Sequence, residues 1–130
     1  MKRLSLILLL LVSTNVMSEW TRVTDSKDDD FSVYVDYGSI KRKGHKVKMW
    51  VLFDSKTTQQ YENYRYLSSV THVEYDCEEE TSRSLDDHGY SENMKNGVIV
   101  YSFPNHKGEP SSIRPNTIES LNYKIACGKK

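Results

Sequence analysis

Two cysteines, three prolines and six glycines are all that 130 residues contain of those types. No internal repeat, low-complexity tract or interdomain linker interrupts the chain, so it is read as one small domain. Charge of one sign is lacking as well, since 18 basic residues stand against 18 acidic ones. A near-neutral domain has no electrostatic footprint for nucleic acid, and no nucleic-acid partner is expected. The basic run "KRKGHKVK" is offset by "DSKDDD" and "DCEEE", the mixed charge of a solvated surface. Serines are plentiful but no G-x-S-x-G elbow holds any of them, so nucleophilic hydrolysis lacks its usual turn.

Long hydrophobic runs are also missing. The one marked stretch, Leu4 to Val12 with Ser5 inside it, is about half the length a membrane-crossing helix needs. Lys2 and Arg3 precede it, and a polar segment ending Val16-Met17-Ser18 follows. This order predicts a secretory signal peptide over residues 1–18, with a mature domain over residues 19–130 and no transmembrane segment in it. No cysteine lies near the cleavage point, so lipid attachment is not expected there. Loss of Lys2 and Arg3 leaves the mature chain with two more acids than bases.

Export gives the two cysteines a meaning. An even count in an oxidising compartment implies one disulfide, and Cys77 with Cys127 is the single intramolecular pairing. The closed loop spans about 50 residues, for which loop entropy assigns about 4 kcal/mol. That is a large share of the ~5–15 kcal/mol that holds a domain of this size. A catalytic thiol would need one of these cysteines free and activated, which the pairing prevents.

Metal chemistry finds no frame. His45, His72, His88 and His106 show no i, i+4 pair. His72 and Cys77 are five apart in a strand and so point to opposite faces. Neither a four-ligand zinc spacing nor an EF-hand is present; "DSKDDDF" lacks the glycine and terminal glutamate and reads as a turn. "DDHGY" around His88 also reads as a turn. Glu78, Glu79 and Glu80 are expected in solvent, because burying three unpaired acids would be costly. No metal, cofactor or catalytic residue is expected.

What the chain does have is alternation. "EWTRV", with Trp20 as anchor, and "FSVYVDY" read as strands. "KVKMWVLFDS" follows a turn at Lys43-Gly44 and is the strongest strand. Its two faces, Val47-Met49-Val51-Phe53 and Lys48-Trp50-Leu52, both turn apolar toward the middle, as in a central strand covered on both sides. "TTQQYENY" reads as a long polar hairpin turn. "YRYLSSVTHVEYDC" alternates again, "TSRSLDDHGY" is a weaker strand, and Asn96-Gly97 fits a tight turn before the strand "VIVYSF". The last segment changes period. Asn116 and Glu119 resemble a capping box, Ile118, Leu121 and Ile125 fall at helical spacing, and Gly128 fits a stop. A helix this short needs a sheet face to dock on. The expected fold is α+β: an antiparallel sheet of about six strands with one C-terminal helix tethered by the disulfide to one face.

The chain resembles a known family, the surface-adhesin protein E domain of bacteria. The resemblance is carried by "W-x-x-V" at Trp20 to Val23, "YVDYGSIKRKGHKVKMWVLFD" at Tyr34 to Asp54, "VEYDC" at Val73 to Cys77 followed by Arg83, and the stretch from Pro115 to Cys127. It implies a curved sheet with the helix tethered to its concave side, in a surface protein that binds host matrix or serum proteins and can form a homodimer. The residues add one hint of their own. Nine tyrosines are many for this length, and Tyr61, Tyr64 and Tyr66 cluster beside Tyr75. Tyrosine joins a large apolar body to a polar tip and is enriched at protein-binding surfaces. The expected function is an exported, non-enzymatic protein-binding domain at the periplasm or cell surface, with Tyr61, Tyr64 and Tyr66 as candidate binding surface. The alternative is a periplasmic accessory or inhibitor protein acting on a cell-envelope partner.

Overall fold

Period-two alternation becomes pleated backbone wherever one face can be buried, and most of this chain follows that rule. The computed structural model describes residues 19–28, 30–105 and 107–129. The expected signal peptide and His106 lie outside the described residues. Eight strands form one antiparallel sheet: β1 (Trp20–Asp25), β2 (Phe31–Asp36), β3 (Lys41–Lys43), β4 (Lys46–Tyr61), β5 (Tyr64–Asp76), β6 (Thr81–Tyr90), β7 (Ile99–Phe103) and β8 (Ser111–Ser112). Six of them make the main order β1-β2-β4-β5-β6-β7, while β3 pairs with β4 and β8 with β6. Among the described residues one α-helix, α1 (Ile118–Cys127), follows the last strand.

The core lies between α1 and one face of the sheet. Val33, Val35, Val47, Met49, Val51 and Tyr75 are all but inaccessible and pack with Tyr123, Ala126 and the two cysteines. Each such side chain contributes about 1.5–3 kcal/mol through lost contact with water. The Cys77–Cys127 disulfide joins the end of β5 to the end of α1, with the Cα atoms 5.8 Å apart. Two hydrogen bonds support it, as Tyr123 Oη donates to Cys77 O at 3.0 Å and Arg42 Nη2 to Cys127 O at 3.1 Å.

The helix keeps most of the expected stripe, since Ile118 and Ile125 pack against the core. Leu121 stays outside the core cluster, and Tyr123, Ala126 and Cys127 are buried instead. The start also moves by one residue. Thr117, not Asn116, is the N-cap, its hydroxyl accepting from Ser120 N at 3.1 Å. Asn116 sits at φ 61° in the turn before it, and Glu119 accepts from the Ser82 hydroxyl instead of closing a capping box. Gly128 does end the helix, left-handed at φ 68°.

Three loop expectations are corrected. "TTQQYENY" is mostly strand. β4 and β5 stay paired through Gln59↔Tyr66 and Tyr61↔Tyr64, so the turn shrinks to Glu62 and Asn63. Both sides of this ribbon are wet, so no apolar alternation marks it. "DDHGY" is likewise strand, the end of β6. Asn96-Gly97 does not join two strands directly but lies inside the 91–98 loop. That loop is held by the face opposite the helix: Met94 N donates to Asp54 Oδ1 at 2.7 Å and Lys95 N to Ser68 Oγ at 2.9 Å. Near it, Leu52 and Val70 are buried, so β4 is covered on both sides along its middle.

Candidate functional site

The ladder of strand pairs explains how the site is assembled. Two rows of facing residues cross the helix-bearing side of the sheet. One runs Val35, Val51, Thr71, Asp87, Phe103; the other runs Val33, Phe53, Ser69, Gly89, Tyr101. Each row is apolar under the helix, polar or small on β5 and β6, and aromatic on β7. The helix covers the first part of both rows and leaves the rest open.

Tyr101 is the centre of the open part. Its ring lies flat over Gly89, where an added Cβ would stand 2.0 Å from the ring. A glycine inside a strand often marks such a close approach. Tyr66 meets Tyr101 edge-on at 5.3 Å between centroids, and Tyr64, Tyr61 and Phe103 follow at 5.9, 6.1 and 5.6 Å. Tyr101 is buried among them, whereas Tyr61, Tyr64 and Phe103 are each at least 39% exposed.

The three tyrosines singled out in the sequence are therefore brought together. Tyr75 is not with them; it sits in the core, 6.4 Å from the ring of Tyr123, and burial pushes its hydroxyl pKa up. Tyr101, Phe103, Gly89 and Asp87 were missed. Alternation within "VIVYSF" places Tyr101 and Phe103 on one face, but only the pairing of β7 with β6 puts that face beside the hairpin.

A carboxylate lies against this aromatic cluster. Asp87 Oδ1 accepts from Thr71 Oγ1 at 3.3 Å and from Tyr101 Oη at 3.4 Å. Burial pushes its pKa up, against the opposing pull of those hydrogen bonds and of His88. Burial likewise raises the Tyr101 hydroxyl, and the charge of Asp87 adds to it.

A cavity of about 540 Å³ opens here, walled by Tyr61, Tyr66, Tyr101 and Phe103, with Asp87 and Glu119 also lining it. A second one of about 330 Å³ continues toward the helix, sharing Ser82, Ser84 and Glu119. Asn122 lines that inner part; it is 3% exposed, and its Oδ1 has no hydrogen-bond partner. Arg83 borders the outer cavity with its charge already engaged, Nε and Nη2 both donating to Glu74 Oε1 at 2.9 Å.

The opposite face carries a different group. Trp50 stacks on His72 at 4.5 Å and 6°, and His88 approaches the same ring at 6.2 Å. Strand pairing brings these histidines together, which sequence spacing did not suggest. Burial lowers the His72 pKa despite Asp86 at 3.5 Å, so the stacked ring is neutral at neutral pH. Among the described residues no group of three His, Cys, Asp or Glu side chains could hold a metal ion, and no helix is long and apolar enough to cross a membrane. Glu78, Glu79 and Glu80 are exposed, as expected.

Comparison with known proteins gives one family and one set of structures. The model of the family "Surface-adhesin protein E" matches residues 20–128. Crystal form II of Haemophilus influenzae protein E is similar at a TM-score of 0.65 and 17% identity, covering 88% of this chain and 91% of that one. Another structure of Haemophilus influenzae protein E gives 0.64 and 18%, covering 88% of each. Protein E from non-typeable Haemophilus influenzae gives 0.63 and 17%, covering 88% of this chain and 79% of that one. A search of the curated proteins finds no match.

Proposed function

Because the chain belongs to the surface-adhesin protein E family, we propose that it is an exported, non-enzymatic protein-binding domain whose partners are host matrix or serum proteins. The signal peptide over residues 1–18 and the mature domain over residues 19–130 are part of this reading. The observation that carries it is the open half of the helix-bearing face. Tyr61, Tyr64 and Phe103 expose large rings there on a hairpin and a strand that the sheet holds in place. Rigid aromatic side chains give contact area at low entropy cost, the usual chemistry of a binding hot spot.

The test is a surface-binding assay of residues 19–130 against immobilised matrix and serum proteins. Saturable micromolar binding that falls in the Tyr61→Ala/Tyr64→Ala double variant is expected. No binding at that concentration sinks the host-protein reading. Fractionation with external protease separates the two locations; a fully protected protein favours the envelope accessory role.

A homodimer is a second reading, favoured by the edge of β7. Val98 and Ile99 are 67% and 57% exposed there, and among the described residues no strand pairs with the outer side of β7. An unprotected apolar edge invites another strand. Sedimentation of the mature chain at micromolar concentration is expected to show a dimer that Ile99→Lys disperses. A monomer at all concentrations ends this reading.

A further inference from the structure

We propose that the open cavity beside Tyr101 is a receptor for a basic side chain, the lysine ammonium or arginine guanidinium of a protein partner. The inference rests on the protein-binding reading and gives that partner a chemistry.

Three independent features converge. The first is the aromatic wall. Tyr61, Tyr66, Tyr101 and Phe103 border a cavity large enough for a side chain, and ring faces attract cations through their quadrupole. The second is charge. Asp87 lies against the rings, and Glu109 and Glu119 also line the cavity. The one basic side chain among its lining residues, Arg83, is held by Glu74. The cavity therefore presents carboxylates whose local counter-charge is engaged elsewhere.

The third feature is the hydrogen-bond inventory. Asn122 Oδ1 is a buried acceptor with no donor, on the wall of the inner cavity that shares Ser82, Ser84 and Glu119 with the outer one. An unsatisfied buried acceptor costs stability. Asp87, too, is kept in an environment that disfavours its own charge. Carboxylates lining one cavity, beside a neighbouring cavity that holds an unpartnered acceptor, suit a ligand that brings donors. A basic side chain brings three or five N–H groups and a positive charge, and its alkyl stem suits the aromatic wall of Tyr61 and Phe103. Neutral polar ligands would bring no counter-charge to Asp87, Glu109 and Glu119, and anions would be repelled by them.

The test uses the mature chain, residues 19–130, and three acetylated, amidated peptides: Gly-Gly-Lys-Gly-Gly, Gly-Gly-Arg-Gly-Gly and Gly-Gly-norleucine-Gly-Gly. Tyrosine ring resonances are followed by NMR to roughly 10 mM peptide, where millimolar affinities still register. Saturable shifts of Tyr61, Tyr66 and Tyr101 with the Lys or Arg peptide, and none with norleucine, are expected. Whichever basic peptide binds more tightly identifies the side chain. Tyr61→Ala is expected to weaken that binding about two- to thirtyfold, the range of one cation–ring contact, while Tyr61→Phe keeps it. Asp87→Asn removes the preference for the charged peptides.

Equal shifts with norleucine, or none with any peptide, overturn the proposal. The surface-binding assay keeps the two readings apart. Partner capture through Tyr61 and Tyr64 with silent peptides defeats the basic-side-chain receptor alone. A peptide response without capture of any matrix or serum protein defeats the host-protein reading alone.

Discussion

One face of one sheet is finished in two ways. Under the helix, the rows from β2 and β4 are sealed by Tyr123, Ala126 and a disulfide. Farther along the same rows, β5 to β7 offer Thr71, Ser69, Asp87 and a set of rings, and nothing of the described chain closes over them. The sealed half is what a stable fold requires. The open half keeps a carboxylate where burial raises its pKa, and at its border with the sealed half the helix residue Asn122 holds an amide oxygen without a donor. Those are costs that stability does not explain, and binding sites are where such costs concentrate.

The contrast can be broken most severely from the sealed side. Replacing Cys77 and Cys127 by alanine is expected to lower stability by about 4 kcal/mol, the loop entropy of the bridge, as read by urea unfolding. Next comes Gly89→Ala, which drives the Tyr101 ring off its seat and is expected to cost about 1–3 kcal/mol while also scattering the open half. Loss of the Tyr101 ring-current shifts would show it. Tyr123→Phe removes a hydroxyl that donates to Cys77 O. It should cost about 1 kcal/mol, with the open half untouched.

The open half answers more gently and with the opposite sign. The raised pKa of Asp87 means that the folded protein holds that proton more firmly than the unfolded chain. Stability from this group is present below the unfolded value and is lost as pH rises through the folded one. The groups acting on Asp87 are Thr71, Tyr101 and His88, and they oppose the shift rather than cause it. Asp87→Asn is therefore expected to match the wild type in acid and to be slightly more stable at neutral pH, by under about 1 kcal/mol. Thermal unfolding at pH 3 and pH 7 would check it; a less stable variant at pH 7 would show that the carboxylate serves the fold. Tyr61→Ala is the smallest change, within about 0.5 kcal/mol on stability, though it should remove most of the binding.

The two halves were unequally legible in the sequence. The sealed half follows from local rules. Val33-Val35 and Val47-Met49-Val51 alternate because one side is dry, and Gly128 stops the helix. On α1, Ile118 and Ile125 pack against the core as their spacing suggests, whereas Leu121 is just as apolar and stays outside it, and Tyr123 is buried with its hydroxyl bonded to Cys77 O. In the open half the residues lie on β4, β5, β6 and β7 and meet only through pairing. Tyr61, Tyr64 and Tyr66 stood out because they are close in sequence. Asp87 and Tyr101 are 14 residues apart, and a solvated ribbon such as Thr57 to Gln60 carries no apolar alternation to announce a strand.

Gly89 has one more consequence. Strand β7 is short, lies at an edge and carries apolar residues at most of its positions, so composition alone would let it slide along β6. A shift of two residues keeps the same side chains on the same face, and hydrophobicity would barely notice. Tyr101 would notice. Its ring can lie down only where the neighbouring strand offers bare backbone, and one step either way it would meet Asp87 or Ser91. A single hydrogen atom in place of a side chain thus acts as an alignment mark, telling this short edge strand where to stop.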